Sequence, residues 1–188
     1  MSNSVTASLI AKTFAWMGWR IQGPRPLHLK KAIWVVAPHT SNFDFFVGLG
    51  IRATLRMEIG FLAKKELFKW YSGWYFRWMG GYPVERKKTT NLVDAVVELI
   101  NSHHRIHISL APEGTRDNVR KLKTGFYYMA LGAGIPLILV SFSHSRKRVV
   151  LSPPFYPSGD VNYDMKRIHA FFKLHGDVQK DWVLTSFF

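Results

Sequence analysis

The chain has 188 residues, 47% of them hydrophobic and 20% charged, with 26 Lys and Arg against 12 Asp and Glu for a formal net charge of +14. That length suits one domain, and the apolar share builds a core and excludes a disordered polyelectrolyte. Cys is absent, which excludes a disulfide scaffold, a thiolate metal site and a Cys nucleophile, while the charge calls for an anionic partner: nucleic acid, anionic lipid or a phosphorylated substrate.

From the N-terminus, Met1 to Gly23 carries Leu9, Ile10, Phe14, Trp16, Met17 and Trp19 around the charges Lys12 and Arg20. It reads as a short amphipathic helix, packed on the core or lying in a membrane interface. Residues 1–23 are set apart on that ground from a domain over 24–188. The segment lacks a basic n-region followed by a compact apolar run, so a cleaved signal peptide is not expected. Ala32 to Ala37 is an apolar β-prone run closed by Pro38 and reads as a buried strand. A helix is expected over about 42–56, a strand from Ile59 to Ala63, and helical spacing from Lys64 to Met79. Gly80 to Arg86 reads as a turn and a short extended piece. Asn91-Leu-Val-Asp94 resembles a capping box opening a helix to about Ser102.

Further on, a strand is expected over Arg105 to Leu110, a helix over Thr124 to Leu131 and a strand over Pro136 to Phe142. Thr124 to Ser145 carries no Asp, Glu, Lys or Arg, but Gly132-Ala-Gly-Ile-Pro136 interrupts it, so it is not a membrane span. A strand over Arg148 to Ser152 and a helix over Tyr163 to His175 complete the pattern. Strands alternating with helices predict a layered α/β single domain, its central, largely parallel sheet flanked by helices.

Three groups of residues can carry chemistry. His39-Thr-Ser-Asn-Phe-Asp44 puts an imidazole after a strand and a carboxylate in the first turn of a helix. Such a carboxylate can hold one ring nitrogen and leave the other as a general base. Asp44 also suits the Ser41-x-x-Asp44 capping box and the helix dipole, and the two roles are compatible. Leu110-Ala-Pro-Glu-Gly-Thr-Arg116 ends a strand in a tight turn. Gly114 there lets backbone amides face an anion and Arg116 offers a bidentate fork, with Arg120, Lys121 and Lys123 close behind. An ordinary turn with a solvated basic face has the same pattern. Gly81-Tyr-Pro-Val-Glu-Arg86, followed by Lys87 and Lys88, adds a third basic turn.

The order His-x4-Asp, Gly-x4-Arg, Pro-Glu-Gly-Thr-Arg and then Gly134-Ile-Pro136 resembles the glycerolipid acyltransferase family, whose best-known members are the 1-acyl-sn-glycerol-3-phosphate acyltransferases. The resemblance covers His39 to about Val140. It implies a glycerol-3-phosphate acyltransferase-like fold, with His39 as general base and Asp44 as the carboxylate that orients it. It implies that Arg86, Glu113, Gly114, Thr115 and Arg116, joined here by Lys123, bind the phosphate-bearing acceptor, and that Pro136 opens a block tied to the acyl donor. The implied reaction moves a fatty acyl group from acyl-CoA or acyl carrier protein, as co-substrate, to a lysophospholipid hydroxyl, with 1-acyl-glycerol-3-phosphate giving phosphatidic acid. No Gly-x-Ser-x-Gly occurs, so direct transfer without a covalent enzyme intermediate is expected. No metal and no cofactor is expected, since His103-His104-x-x-His107 has no nearby acidic ligand.

Phe61 to Trp78 interleaves Phe61, Phe68, Trp70, Tyr71, Trp74, Tyr75, Phe76 and Trp78 with Lys64, Lys65, Lys69 and Arg77. Leu67, Phe68, Tyr71, Trp74, Tyr75 and Trp78 would share one helical face. That face could be core, the wall of an acyl-chain groove, or a contact with an anionic membrane surface. The last fits a peripheral, monotopic protein on the cytoplasmic face. The alternatives kept open are an acyltransferase for another lysolipid, such as an amino-acid-based one, and a non-catalytic basic protein binding lipid or nucleic acid. Nucleic acid is not the expected partner, because it leaves the four ordered blocks unexplained.

Overall fold

A computed structural model describes residues 5–37, 43–84, 89–113 and 122–177. Helix α1 (Val5–Trp16) leads into β1 (Arg20–Gln22), β2 (Lys31–Val36), α2 (Phe43–Leu55) and β3 (Ile59–Lys64). A 3-10 turn (Lys65–Leu67), α3 (Gly73–Trp78), β4 (Gly81–Val84), α4 (Thr89–Ser102) and β5 (Ile106–Leu110) follow. The chain then runs through α5 (Gly125–Ala133), β6 (Leu137–Ser143), β7 (Arg148–Leu151) and α6 (Val161–His175). The strands form one seven-stranded sheet in the order β1-β7-β6-β2-β5-β3-β4. From β6 to β4 every pairing is parallel. β7 turns back antiparallel on β6, and β1 pairs parallel with β7 at one edge. The sheet is thus largely parallel and flanked by helices, as its alternating elements predict.

Helices cover both faces. Ile33 and Val35 of β2 join Val96 and Ile100 of α4, Phe126 and Met129 of α5, and Ile168 and Phe172 of α6 in one buried cluster. Ala32 and Trp34, one residue out of phase, face Phe14 of α1 and Val47, Ile51 and Leu55 of α2. The period-two alternation of a strand sends neighbouring side chains to opposite faces. A strand covered on both faces therefore has to be apolar throughout, and that is why Ala-Ile-Trp-Val-Val is legible as a central strand. α1 seats on α2 where Gly50 leaves room: a Cβ there would lie 2.2 Å from the Phe14 ring. At the end of α5, Gly134 adopts φ 63° and closes the helix, so that Pro136 can lead directly into β6.

Three expectations change. Lys64 to Met79 is not one helix. The 3-10 turn stops at Leu67, Ser72 Oγ donates to the Leu67 carbonyl at 2.8 Å, and α3 starts only at Gly73. Side-chain capture of a helix-end carbonyl competes with continued helix, and Ser is suited to it. Helix α4 begins at Thr89, so Asn91 lies within it rather than capping it. Residues 20–22, read as part of the N-terminal helical segment, form β1 instead, because backbone pairing with β7 outweighs local propensity.

Candidate active site

The parallel strands bring their carboxyl ends to one edge of the sheet, the edge at which open parallel sheets bind ligands. β2 leads to Ala37, β4 to Val84, β5 to Glu113 and β6 to Ser143. The segments that follow the first three in sequence hold the His-x4-Asp, Arg86 and Glu-Gly-Thr-Arg motifs. His39, Arg86, Gly114, Thr115 and Arg116 lie outside the described residues, as do Ser41, Lys87, Lys88, Arg120 and Lys121.

Asp44 is described. It stands in the first turn of α2, where a negative charge is favoured by the helix dipole, and it is only 4% exposed. Glu113, at the end of β5, is fully buried. Lys123 is exposed, and its amide donates to the Pro112 carbonyl at 2.8 Å, so the backbone returns beside the Glu113 turn. Asp44, Glu113 and the backbone of Lys123 thus follow adjacent strands at one edge. Pro136 does not share it. It precedes β6, and its carbonyl accepts from the Ile33 amide at the far end of the sheet. At about 3.3 Å per residue that is on the order of 20 Å away along the strand.

A residue with no motif to announce it stands at the same edge. His144, in the turn between β6 and β7, places Nε2 2.7 Å from Asp44 Oδ1 across 100 residues of sequence. Its ring is held edge-on to Trp19 at 5.5 Å and 89°, and to Phe142 at 6.4 Å and 82°. The turn itself is fastened from below. Asp177, just past α6, accepts from the Ser145 amide at 2.8 Å, from Ser145 Oγ at 2.9 Å and from Ser143 Oγ. Burial alone would raise the Asp177 pKa. The hydrogen bonds from Ser143 and Ser145 and the charge of Arg146 outweigh it, and the carboxyl is held below its ordinary range.

The three clustered histidines diverge. His103 Nδ1 contacts the Leu99 carbonyl at 2.8 Å, His104 Nε2 lies 3.5 Å from Lys30 Nζ, and buried His107 accepts from Trp34 Nε1 at 3.2 Å. Among the described residues no group of three His, Cys, Asp or Glu is placed to hold a metal ion. The aromatic segment is neither core nor a continuous stripe. Trp70, Tyr71, Trp74 and Trp78 are all more than half exposed, and Trp70 is 92% so. Lys69 lies over the Tyr71 ring and Arg77 over Phe68. Among the described residues no helix is long and apolar enough to cross a membrane.

The sequence model of the Acyltransferase family matches residues 18–143, a span that contains all four motif blocks. The 1-acyl-sn-glycerol-3-phosphate acyltransferase of Escherichia coli (strain K12) is 30% identical over 122 residues, covering 62% of this chain and 49% of that protein. A human relative, 1-acyl-sn-glycerol-3-phosphate acyltransferase beta, is 24% identical over 156 residues, covering 80% of this chain and 55% of its own. The chain spans about half the length of the curated relatives it matches. Among solved structures, the 1-acyl-sn-glycerophosphate (LPA) acyltransferase PlsC from Thermotoga maritima superposes with a TM-score of 0.60 over 89% of this chain and 77% of that one, at 23% identity. That likeness supports the fold.

Proposed function

This chain belongs to the Acyltransferase family, and we propose that it transfers a fatty acyl group from an acyl thioester to the free hydroxyl of a lysophospholipid, with 1-acyl-glycerol-3-phosphate the best-fitting acceptor and phosphatidic acid the product. The observation that carries this reading is the buried carboxylate of Asp44 at the carboxyl edge of the sheet, five residues after the histidine of the His-x4-Asp motif. An alcohol is a poor nucleophile until a base takes its proton. In the proposed step His39 accepts that proton as the oxygen attacks the thioester carbonyl carbon. The tetrahedral oxyanion then collapses, the C–S bond breaks, and the thiolate takes the proton back from the imidazolium. Asp44 fixes the imidazole and balances its transient charge. Arg116 and Arg86 would hold the acceptor phosphate, aided by Lys123. No metal and no cofactor enters; acyl-CoA or acyl carrier protein serves as co-substrate.

The same reading has the protein bind peripherally to the cytoplasmic face of an anionic membrane, where its acceptor resides. The exposed Trp and Tyr side chains around α3, interleaved with cations, suit the headgroup level. Purified protein given acyl-CoA and lysophosphatidic acid is expected to release free CoA, and His39→Ala to lose at least about 10²-fold in rate. Unchanged turnover in that variant would remove the base assignment. A panel of phosphate-bearing and amino-acid-based lysolipids, each tried with both thioester carriers, identifies acceptor and donor.

A further inference from the structure

We propose that His144 is a positioning residue for acyl transfer: by donating from Nε2 to Asp44 Oδ1 it fixes the carboxylate that orients the catalytic base. The inference rests on the acyl-transfer reading and adds to it a residue outside all four motif blocks.

The contact is short, 2.7 Å, and joins a buried carboxylate to an imidazole whose side chain is 36% exposed. Ionised Asp44 offers only acceptors, so Nε2 carries the hydrogen in this pair. A carboxylate has two oxygens and about four acceptor directions. Oδ1 can therefore be held by His144 while other directions of the same group serve a second imidazole. Holding one oxygen stops rotation of the carboxylate about its Cβ–Cγ bond, and a base is no better oriented than the group that orients it. The donor is itself immobilised. Trp19 and Phe142 fix the plane of its ring, and Asp177 fastens the flanking Ser143 and Ser145. A side chain serving only to fill space would not need its polar atom aimed at the one buried carboxylate in the first turn of α2.

The test uses the 188-residue chain, acyl-CoA and detergent-dispersed lysophosphatidic acid, with His39→Ala as the reference variant. His144→Met keeps an apolar body against Trp19 and Phe142 but removes the donor. It is expected to lower kcat by about 10- to 100-fold, the range set by one hydrogen bond to a charged group. KM for either substrate should stay within about threefold, and the melting temperature within a few degrees. His144→Gln, whose amide can donate to the same oxygen, is expected to recover most of the loss. Three outcomes would overturn the inference. The first is wild-type kcat in His144→Met while His39→Ala is inactive, which leaves the acyl-transfer reading intact. The second is a loss carried wholly by KM. The third is a loss that tracks a fall in melting temperature and that His144→Gln does not rescue, which marks a purely structural clasp. Should His144→Met fail to fold, His144→Phe, which removes the donor but keeps an aromatic ring against Trp19 and Phe142, takes its place and is read by the same three outcomes. Full activity in His39→Ala removes the underlying reading instead.

Discussion

Trp34 and His107 show how one hydrogen bond settles a proton. The indole can only donate, so His107 Nδ1 must accept, and the imidazole is held neutral between β5 and β2. Burial lowers the His107 pKa to about 4; the nearby Leu29 backbone opposes the shift and the charge of Arg105 adds to it. Below the ordinary value of 6.5 the unfolded chain takes up a proton that the folded one refuses. The contribution of His107 to stability therefore falls as pH drops from about 6.5 toward 4 and is fully lost below, with a magnitude on the order of 3 kcal/mol. His169 and His175, both lowered by burial first, act in the same direction. Melting temperatures recorded from pH 7 to pH 4 should decline steeply for the wild type, and His107→Gln should flatten the largest part of that decline. An unaltered profile in the variant would refute it. At this scale Asp44 and Glu113 were legible, because each belongs to a contiguous motif whose spacing follows a strand end. His144 was not, because its partner lies 100 residues away and a Ser-His-Ser turn carries no local signal. Only the strand order, which puts β6 beside β2, brings them together.

At the scale of elements, the segment from the 3-10 turn through α3 is the one whose local pattern misleads most. Its aromatic spacing is that of a helix face, yet Ser72 interrupts the helix and the rings turn outward. Periodicity reports which residues would share a face if the helix continued; it does not say that it does. The exposed rings have a consequence that can be measured. Replacing Trp70, Trp74 and Trp78 together by Ser should weaken binding to phosphatidylglycerol vesicles by at least tenfold, read by co-sedimentation, while the melting temperature stays put because none of the three is core. Equal binding by the variant would move the membrane contact elsewhere on the molecule. β1 was the other illegible element. Three residues in an exposed, half-buried, exposed pattern are too few to announce a period, and only pairing with β7 makes them a strand.

For the whole molecule, the net charge of +14 acts over distances that no single contact spans. Each Lys or Arg near an anionic surface contributes about 1 kcal/mol, and the effect decays within a Debye length of about 10 Å at 0.1 M salt. Vesicle affinity is expected to drop steeply as NaCl rises from about 50 to 500 mM. The triple Trp variant should show the same slope from a lower start, since its charge is untouched. A salt-independent affinity would mean that apolar insertion alone does the binding. The architecture at this scale was the most legible part of the chain: apolar runs of strand length alternate with helical stretches and dictate a sheet covered on both faces.

The rims of that sheet bear on what the proposed membrane attachment would demand of the molecule. Copies confined to a two-dimensional film collide far more often than copies dispersed in bulk, and a long open strand would give each collision a template for stacking chain on chain. Here one rim is β1, three residues long, and the other is β4, four residues long with Pro83 withholding a backbone donor. Among the described residues neither rim offers a neighbour enough ladder to grip, so crowding on the proposed membrane surface is not expected to end in fibrils.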